Sequence, residues 1–138
     1  MKNKNITLAI TALLLTLFAF THNSNAHSQR GKKAPTSETF HRSVKVYGLD
    51  IFYREAGSKD APTILLLHGF PTSSQMFREL IPQLSDKYHV VAPDYPGFGN
   101  SSMPSVEEFE YTFDNLAGII NAFTEELGLE AYSLYVMD

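Results

Sequence analysis

Three nearly continuous apolar runs constrain this chain most: Thr63 to Leu67, Tyr88 to Ala92 and Ala131 to Met137. All three read as strands, and the continuous run Thr63 to Leu67 as one buried on both faces, the pattern of a parallel sheet covered by helices. Helical segments lie between the runs. After the first, Ser73 or Ser74 can cap a helix carrying Met76, Phe77, Leu80, Ile81 and Leu84 on one face, weakened near its end by Pro82. After the second, Asp94 to Pro104 is rich in Gly, Pro and Ser and predicts a loop. Thr112 to Leu127 then places Phe113, Leu116, Ala117, Ile120, Phe123 and Leu127 at helical spacing, with Gly128 positioned to stop the helix. Upstream, Ser43 to Ala56 alternates through Val44, Val46, Ile51 and Tyr53, which predicts a β-hairpin broken at Gly48-Leu49-Asp50. The order hairpin, strand, helix, strand, helix, strand predicts an α/β fold with parallel pairing.

The first 26 residues do not fit that domain. Lys2 and Lys4 precede an apolar stretch from Ile6 to Phe20, and Ser24-Asn25-Ala26 supplies the small residues of a cleavage site. This is the form of a secretory signal peptide, and the apolar stretch is short for a membrane span of roughly 20 residues. The expectation is therefore export, to the periplasm or outside the cell, with no membrane attachment after cleavage. Cleavage at Ala26 leaves 138 − 26 = 112 residues and, without the two lysines, a charge of 9 − 15 = −6. An acidic balance argues against a nucleic-acid partner, because phosphates call for a basic surface. The basic stretch Gln29 to Lys33 reads as part of a solvated polar tail over 27–42, with the domain proper at 43–138. With no Cys in the chain, no disulfide staples it.

Chemistry-bearing residues fall where predicted strands end, the edge at which open α/β sheets bind ligands. His68-Gly69-Phe70-Pro71 follows the first run. Glycine lets the backbone turn tightly there, and the next amide can point into a pocket as an oxyanion donor; an ordinary strand-to-loop turn is the simpler alternative. Asp94-Tyr95-Pro96-Gly97-Phe98-Gly99-Asn100-Ser101 follows the second run. Asp94 is placed to tie the amides of this loop together, a structural task, and neither phosphate-binding pattern, Gly-x-Gly-x-x-Gly or Gly-Lys-Ser/Thr, is present. Asp138 follows the third run. A carboxylate at the tip of an apolar strand is costly unless something uses it, although a turn or cap residue would look the same in isolation.

Taken together, these features resemble the α/β-hydrolase family, in the subgroup with an aspartate nucleophile that contains the epoxide hydrolases and haloalkane dehalogenases. The resemblance runs from the hairpin near Val44 to Asp138. His68 to Pro71 is similar to the family's His-Gly-x-Pro segment, which implies that Phe70 offers its amide to an oxyanion hole and that the Phe70–Pro71 bond is cis. Asp94 to Ser101 is similar to the loop written Asp-x-Arg-Gly-x-Gly-x-Ser, except that Pro96 replaces the arginine that pairs with the aspartate. Val136-x-Asp138 resembles the nucleophile elbow; the serine form, Gly-x-Ser-x-Gly, does not occur in the chain.

The resemblance implies a hydrolase in which Asp138 attacks an electrophilic carbon of a small-molecule substrate and forms an ester, which an activated water then hydrolyses. It implies no cofactor and no metal. His68, Gly69, Pro71 and Asp94 are expected to shape the pocket and its loops. Phe70 resembles the residue of epoxide hydrolases more than the Asn or Glu of dehalogenases, and the dehalogenase reading remains the alternative, beside a non-catalytic binding protein on the same fold. Family members carry further strands, a lid, a second acid and a histidine after the nucleophile. The expectation is that this chain is the amino-terminal fragment of such a protein, with the strand before Asp138 an open edge, and that the fragment alone is inactive. The sequence specifies neither the substrate nor an oligomeric state.

Overall fold

The computed structural model describes residues 38–138. The expected signal peptide and the basic stretch at 29–33 lie outside the described residues. Five strands form one sheet: β1 (Phe40–Val46), β2 (Leu49–Ala56), β3 (Thr63–Leu67), β4 (His89–Pro93) and β5 (Tyr132–Val136), in the spatial order β1-β2-β4-β3-β5. β3 pairs in parallel with both β4 and β5, whereas β2 is antiparallel to β1 and to β4. Four strands therefore run one way and β2 runs against them. Because β3 lies between β4 and β5, the loops that leave these three strands open at one edge of the sheet.

The hairpin differs from expectation at both ends. Its turn is the two residues Tyr47 and Gly48, with φ of 49° and 87°, a pair of positive values that suits the twist of the flanking strands. Leu49 and Asp50 thus belong to β2, where Asp50 opposes Lys45 and takes an ion pair from its Nζ at 2.8 Å. β1 also begins at Phe40, so residues 40–42, expected in the polar tail, are strand. Their polarity hides this, because β1 is an edge strand whose side chains meet β2 from outside: Arg42 Nε lies 2.6 Å from Glu55, and His41 bonds Arg54.

The helix predicted after β3 forms two short pieces, a 3-10 turn at Ser74–Phe77 and helix α1 at Ile81–Leu84. Ser73 caps the first, accepting from the Gln75 amide at 3.3 Å. Pro82 does not weaken the end of a longer helix; it stands in the first turn of α1, where its missing N–H costs nothing but no ladder can pass through it. Helix α2 spans Phe113–Glu126, opened by the Thr112 hydroxyl, which accepts from the Asn115 amide at 3.2 Å, and followed by Gly128.

Successive side chains of the central strands divide between two cores, as burial on both faces requires. Leu65, Leu67, Val91 and Tyr53 pack on α2 through Ile119, Ile120, Ala122 and Phe123, and the Tyr53 and Phe123 rings meet edge-to-face at 5.3 Å. Leu66, Val90, Ala92 and Ala56 pack on Phe77 and Ile81 across the other face. The stripe of α2 that packs is narrower than its spacing predicts: Phe113 is 92% exposed, because it and Leu116 border a cavity beside β5 rather than the sheet. Among the described residues β5 pairs only with β3, and its Leu134 and Val136 are 54% and 60% exposed.

Candidate active site

At the carboxyl ends of β3, β4 and β5 a cavity of about 730 Å³ is bordered by His68, Gly69, Phe70, Tyr95, Phe98 and Asp138 among others. It brings all three sequence segments together. A second cavity, about 640 Å³, is lined by Glu55, Thr63, His89 and the loop before β5. Thr63 and His89 open β3 and β4, so this one lies at the opposite end of the sheet from Asp138.

Asp138 reaches its place because β5 continues its pairing beyond the strand: the Met137 amide donates to the Leu67 carbonyl at 3.1 Å. Here Gly69 is required by space. A Cβ on it would stand 2.6 Å from the Asp138 carbonyl carbon and 2.7 Å from its oxygen, far inside contact distance. The backbones of the two segments therefore lie against one another, which sets the Gly69–Phe70 peptide beside Asp138. The Phe70–Pro71 bond is cis, in keeping with the resemblance. Among the described residues no group accepts from the Phe70 amide.

His68 is buried, and both ring nitrogens are engaged. The Gly69 carbonyl can only accept, so Nδ1 carries the proton in their 3.0 Å contact; the Tyr95 amide can only donate, so Nε2 offers its lone pair at 3.1 Å. The ring also meets Tyr95 and Phe98 edge-to-face, at 4.8 Å and 5.4 Å. His68 ties the β3 loop to the β4 loop and has no nitrogen left to serve Asp138 as a base. Phe70 projects 80% exposed, with its ring edge-to-face on Phe98 at 6.2 Å. Burial pushes the Tyr95 hydroxyl pKa up, so this phenol stays protonated through the neutral range.

Asp94 is fully buried, and its carboxylate binds the loops rather than a ligand. One oxygen accepts from the Ser74 amide at 2.6 Å and the other from the Asn100 amide at 2.9 Å. Its carbonyl accepts from the Ser101 hydroxyl at 2.7 Å, and its amide donates to the Phe52 carbonyl at 2.8 Å. Gly99, at φ 54°, permits this: a Cβ there would fall 2.0 Å from the carboxylate. Ser74, whose amide Asp94 binds, also links this loop to a cation. Buried Arg54 donates to the Ser74 hydroxyl at 3.1 Å and to Gln75 Oε1 at 2.6 Å.

Three elements escape the sequence patterns: Thr72, which bonds the Gly69 carbonyl; Arg54; and the buried pair Glu55–His89, joined at 2.8 Å. Burial alone would push the Glu55 carboxyl up. The hydrogen bond from His89 and the charges of Lys59 and His89 outweigh it, and the carboxyl sits below its ordinary value. Among the described residues no group of His, Cys, Asp or Glu could hold a metal ion.

The family described as alpha/beta hydrolase fold matches residues 62–135. An uncharacterized hydrolase of Saccharomyces cerevisiae is 46% identical over 99 residues, 72% of this chain and 33% of that protein. The solved structure of haloalkane dehalogenase DbeA from Bradyrhizobium elkani is similar at a TM-score of 0.69 and 36% identity, over 73% of this chain and 34% of that one. Epoxide hydrolase VrEH1 from Vigna radiata is similar at a TM-score of 0.66 and 37% identity, over 73% and 32% respectively. The chain thus spans about a third of the length of the relatives it matches.

Proposed function

Because the chain belongs to the alpha/beta hydrolase fold family, we propose that it supplies the nucleophile, Asp138, and one oxyanion donor, the Phe70 amide, of an epoxide hydrolase-like enzyme. The observation that carries this reading is the Asp138 backbone lying against Gly69 at the edge of the sheet, beside a Phe70 N–H with no acceptor among the described residues. In the first half-reaction an Asp138 oxygen bonds to a ring carbon, the carbon–oxygen bond of the epoxide breaks, and the ring oxygen takes a proton from an acid. In the second, water adds to the ester carbonyl and gives its proton to a base. The acyl–oxygen bond then breaks, the leaving oxygen takes the proton of the new carboxyl group, and the base returns its proton to the acid, so a diol departs and the carboxylate is restored. The Phe70 amide stabilises the oxyanion of that second half. With both His68 nitrogens engaged, the acid and base are proposed to come from the part of the relatives' length that this chain does not span, and residues 1–138 alone are proposed to be inactive.

Expression of the gene through to its natural stop codon tests this. In ¹⁸O-water the expected result is label in the Asp138 carboxylate after repeated turnover, and loss of turnover in Asp138→Asn. Turnover that survives Asp138→Asn would sink the assignment, and turnover by residues 1–138 alone would sink the claim of inactivity. Haloalkane dehalogenase chemistry, in which Asp138 displaces a halide, is the second reading and rests on the likeness to the dehalogenase structure. The preference for the first rests on Phe70, which borders the cavity with Asp138 and offers no side-chain donor to a leaving halide. Parallel assays on styrene oxide and 1-bromobutane separate the two, and ligand binding without turnover of either would favour a binding protein.

We also propose export with cleavage after Ala26, on the apolar stretch at 6–20 behind two lysines. Mass spectrometry of the exported fraction should find an amino terminus at His27; retention of residues 1–26 on the mature protein would refute it.

A further inference from the structure

The Gly69 carbonyl is unusually crowded with donors. It accepts from the Thr72 amide at 3.1 Å, the Thr72 hydroxyl at 2.8 Å and His68 Nδ1 at 3.0 Å. The Thr72 hydroxyl has one proton and also lies 3.3 Å from the Met76 sulfur, a weaker acceptor, so the carbonyl takes it. Gly69–Phe70 is a trans peptide, since the only cis bond among the described residues is Phe70–Pro71. In a trans peptide the carbonyl of one residue and the N–H of the next point in opposite directions from one rigid plane. Three donors on the Gly69 oxygen therefore fix the direction of the Phe70 N–H. That N–H is the one proposed to hold the oxyanion, and among the described residues it has no acceptor of its own, so its direction is set through the carbonyl of the same peptide.

We infer that Thr72 is a positioning residue for the oxyanion donor: from the far side of the Gly69–Phe70 peptide, its hydroxyl holds the Phe70 amide aimed at the Asp138 ester. The inference rests on the function proposed above. It places the effect of Thr72 in one half-reaction, because the oxyanion forms when water adds to the ester, not when Asp138 attacks carbon. Deleting an oxyanion donor costs about 100- to 1000-fold in rate. Thr72→Val leaves that donor present but less firmly aimed. The main-chain amide at position 72 and His68 still hold the carbonyl, so a loss on the order of tenfold is expected, well short of full deletion.

The test is made on the protein expressed to its natural stop codon, with styrene oxide as probe. Single-turnover mixing followed by acid quench and mass spectrometry measures formation and decay of the Asp138 ester separately. In Thr72→Val, ester formation should keep its parent rate, hydrolysis should slow on the order of tenfold, and the ester should accumulate in the steady state. Thr72→Ser, which restores the hydroxyl, should return hydrolysis to the parent rate. Three results would overturn the inference: hydrolysis in Thr72→Val within about twofold of the parent, an equal loss in both half-reactions, or a Ser variant as slow as the Val variant. The latter two assign Thr72 a purely structural role, and thermal unfolding of each variant, followed by circular dichroism, tells that role from a folding defect. If Asp138→Asn still turns over and the parent forms no ester, the proposed function fails first and this inference falls with it. Normal ester chemistry with an insensitive Thr72 overturns the inference alone.

Discussion

Replacing Asp94 by Asn should unfold the loop edge of the sheet more readily than any other change of one atom. The parent carboxylate is fully buried and accepts two amide bonds, from Ser74 at 2.6 Å and Asn100 at 2.9 Å. An Asn side chain can keep only one of these acceptors. Turned toward Ser74, its oxygen retains a bond, now neutral and weaker by about 1 kcal/mol, while its NH₂ faces the Asn100 amide donor to donor. The second bond is lost, worth about 1.5–3 kcal/mol for a charged acceptor. Together these give a loss of about 2.5–4 kcal/mol. For a domain of this size roughly 4–8 °C accompany each kcal/mol, so the thermal midpoint should fall by roughly 10–32 °C. Urea unfolding followed by far-ultraviolet circular dichroism is the assay, since the chain has no Trp. An unchanged denaturant slope with a lower midpoint would assign the loss to the native state. A variant within about 0.5 kcal/mol of the parent would refute the reasoning, because a carboxylate so placed cannot be idle if both bonds exist.

Gly69→Ala puts a Cβ 2.6 Å from the Asp138 carbonyl carbon, so one of the two backbones must retreat by about 1 Å to restore contact distance. A displacement of that size at a reacting group costs about 100-fold, so turnover by the full gene product should fall by that order while the melting temperature falls only modestly; parent-like turnover would contradict the close approach. Glu55→Gln tests the buried pair with His89. Since the folded carboxyl lies below its ordinary value, its contribution is present above the unfolded pKa and lost as pH falls through the folded one. Urea midpoints from pH 7 down to pH 3 should therefore drop less steeply in the variant, which starts about 2 kcal/mol lower; identical slopes would exclude the linkage. Pro96→Arg should destabilise by about 2 kcal/mol rather than restore an ion pair, because Pro96 is fully buried and both Asp94 oxygens already hold an amide; a raised melting temperature would show that the site can accept the cation.

The strands at 63–67 and 89–93 were legible because burial on both faces leaves a local mark, a run without alternation, and the strand at 132–136 carries a similar run although its side chains are exposed. The loops at their ends were legible for a related reason: Gly and Pro record backbone geometry at the residue that needs it. What escaped depends on partners remote in the chain. Residues 40–42 are strand because β2 supplies Glu55 and Arg54 across the ladder, and no property of Phe40, His41 and Arg42 announces that. Arg54 reads as an ordinary charge on an alternating strand until Ser74 and Gln75, about 20 residues on, are brought to it. Glu55 and His89 are 34 positions apart, and each alone looks like a solvent residue. The break in the first helix was recorded locally, at Pro82, yet a missing amide fits the first turn of a new helix as well as the end of an old one.

This distinction also explains how the site carries its meaning. Asp138 alone is an acid after a strand, and nothing in its own environment marks a nucleophile. The information lies in what the neighbouring strand ends give up for its sake. Gly69 forgoes a side chain so that the two backbones can touch, His68 commits both nitrogens to main-chain groups, and the Phe70 amide finds no acceptor among the described residues while the carbonyl of the same peptide collects three donors. A loop built only to turn a chain has no need to gather three donors on one carbonyl while leaving the amide of the same peptide open. The asymmetry makes sense if the empty donor is kept for a charge that appears only during reaction. That charge would arise on the Asp138 ester, so the aspartate is best recognised through the peptide beside it.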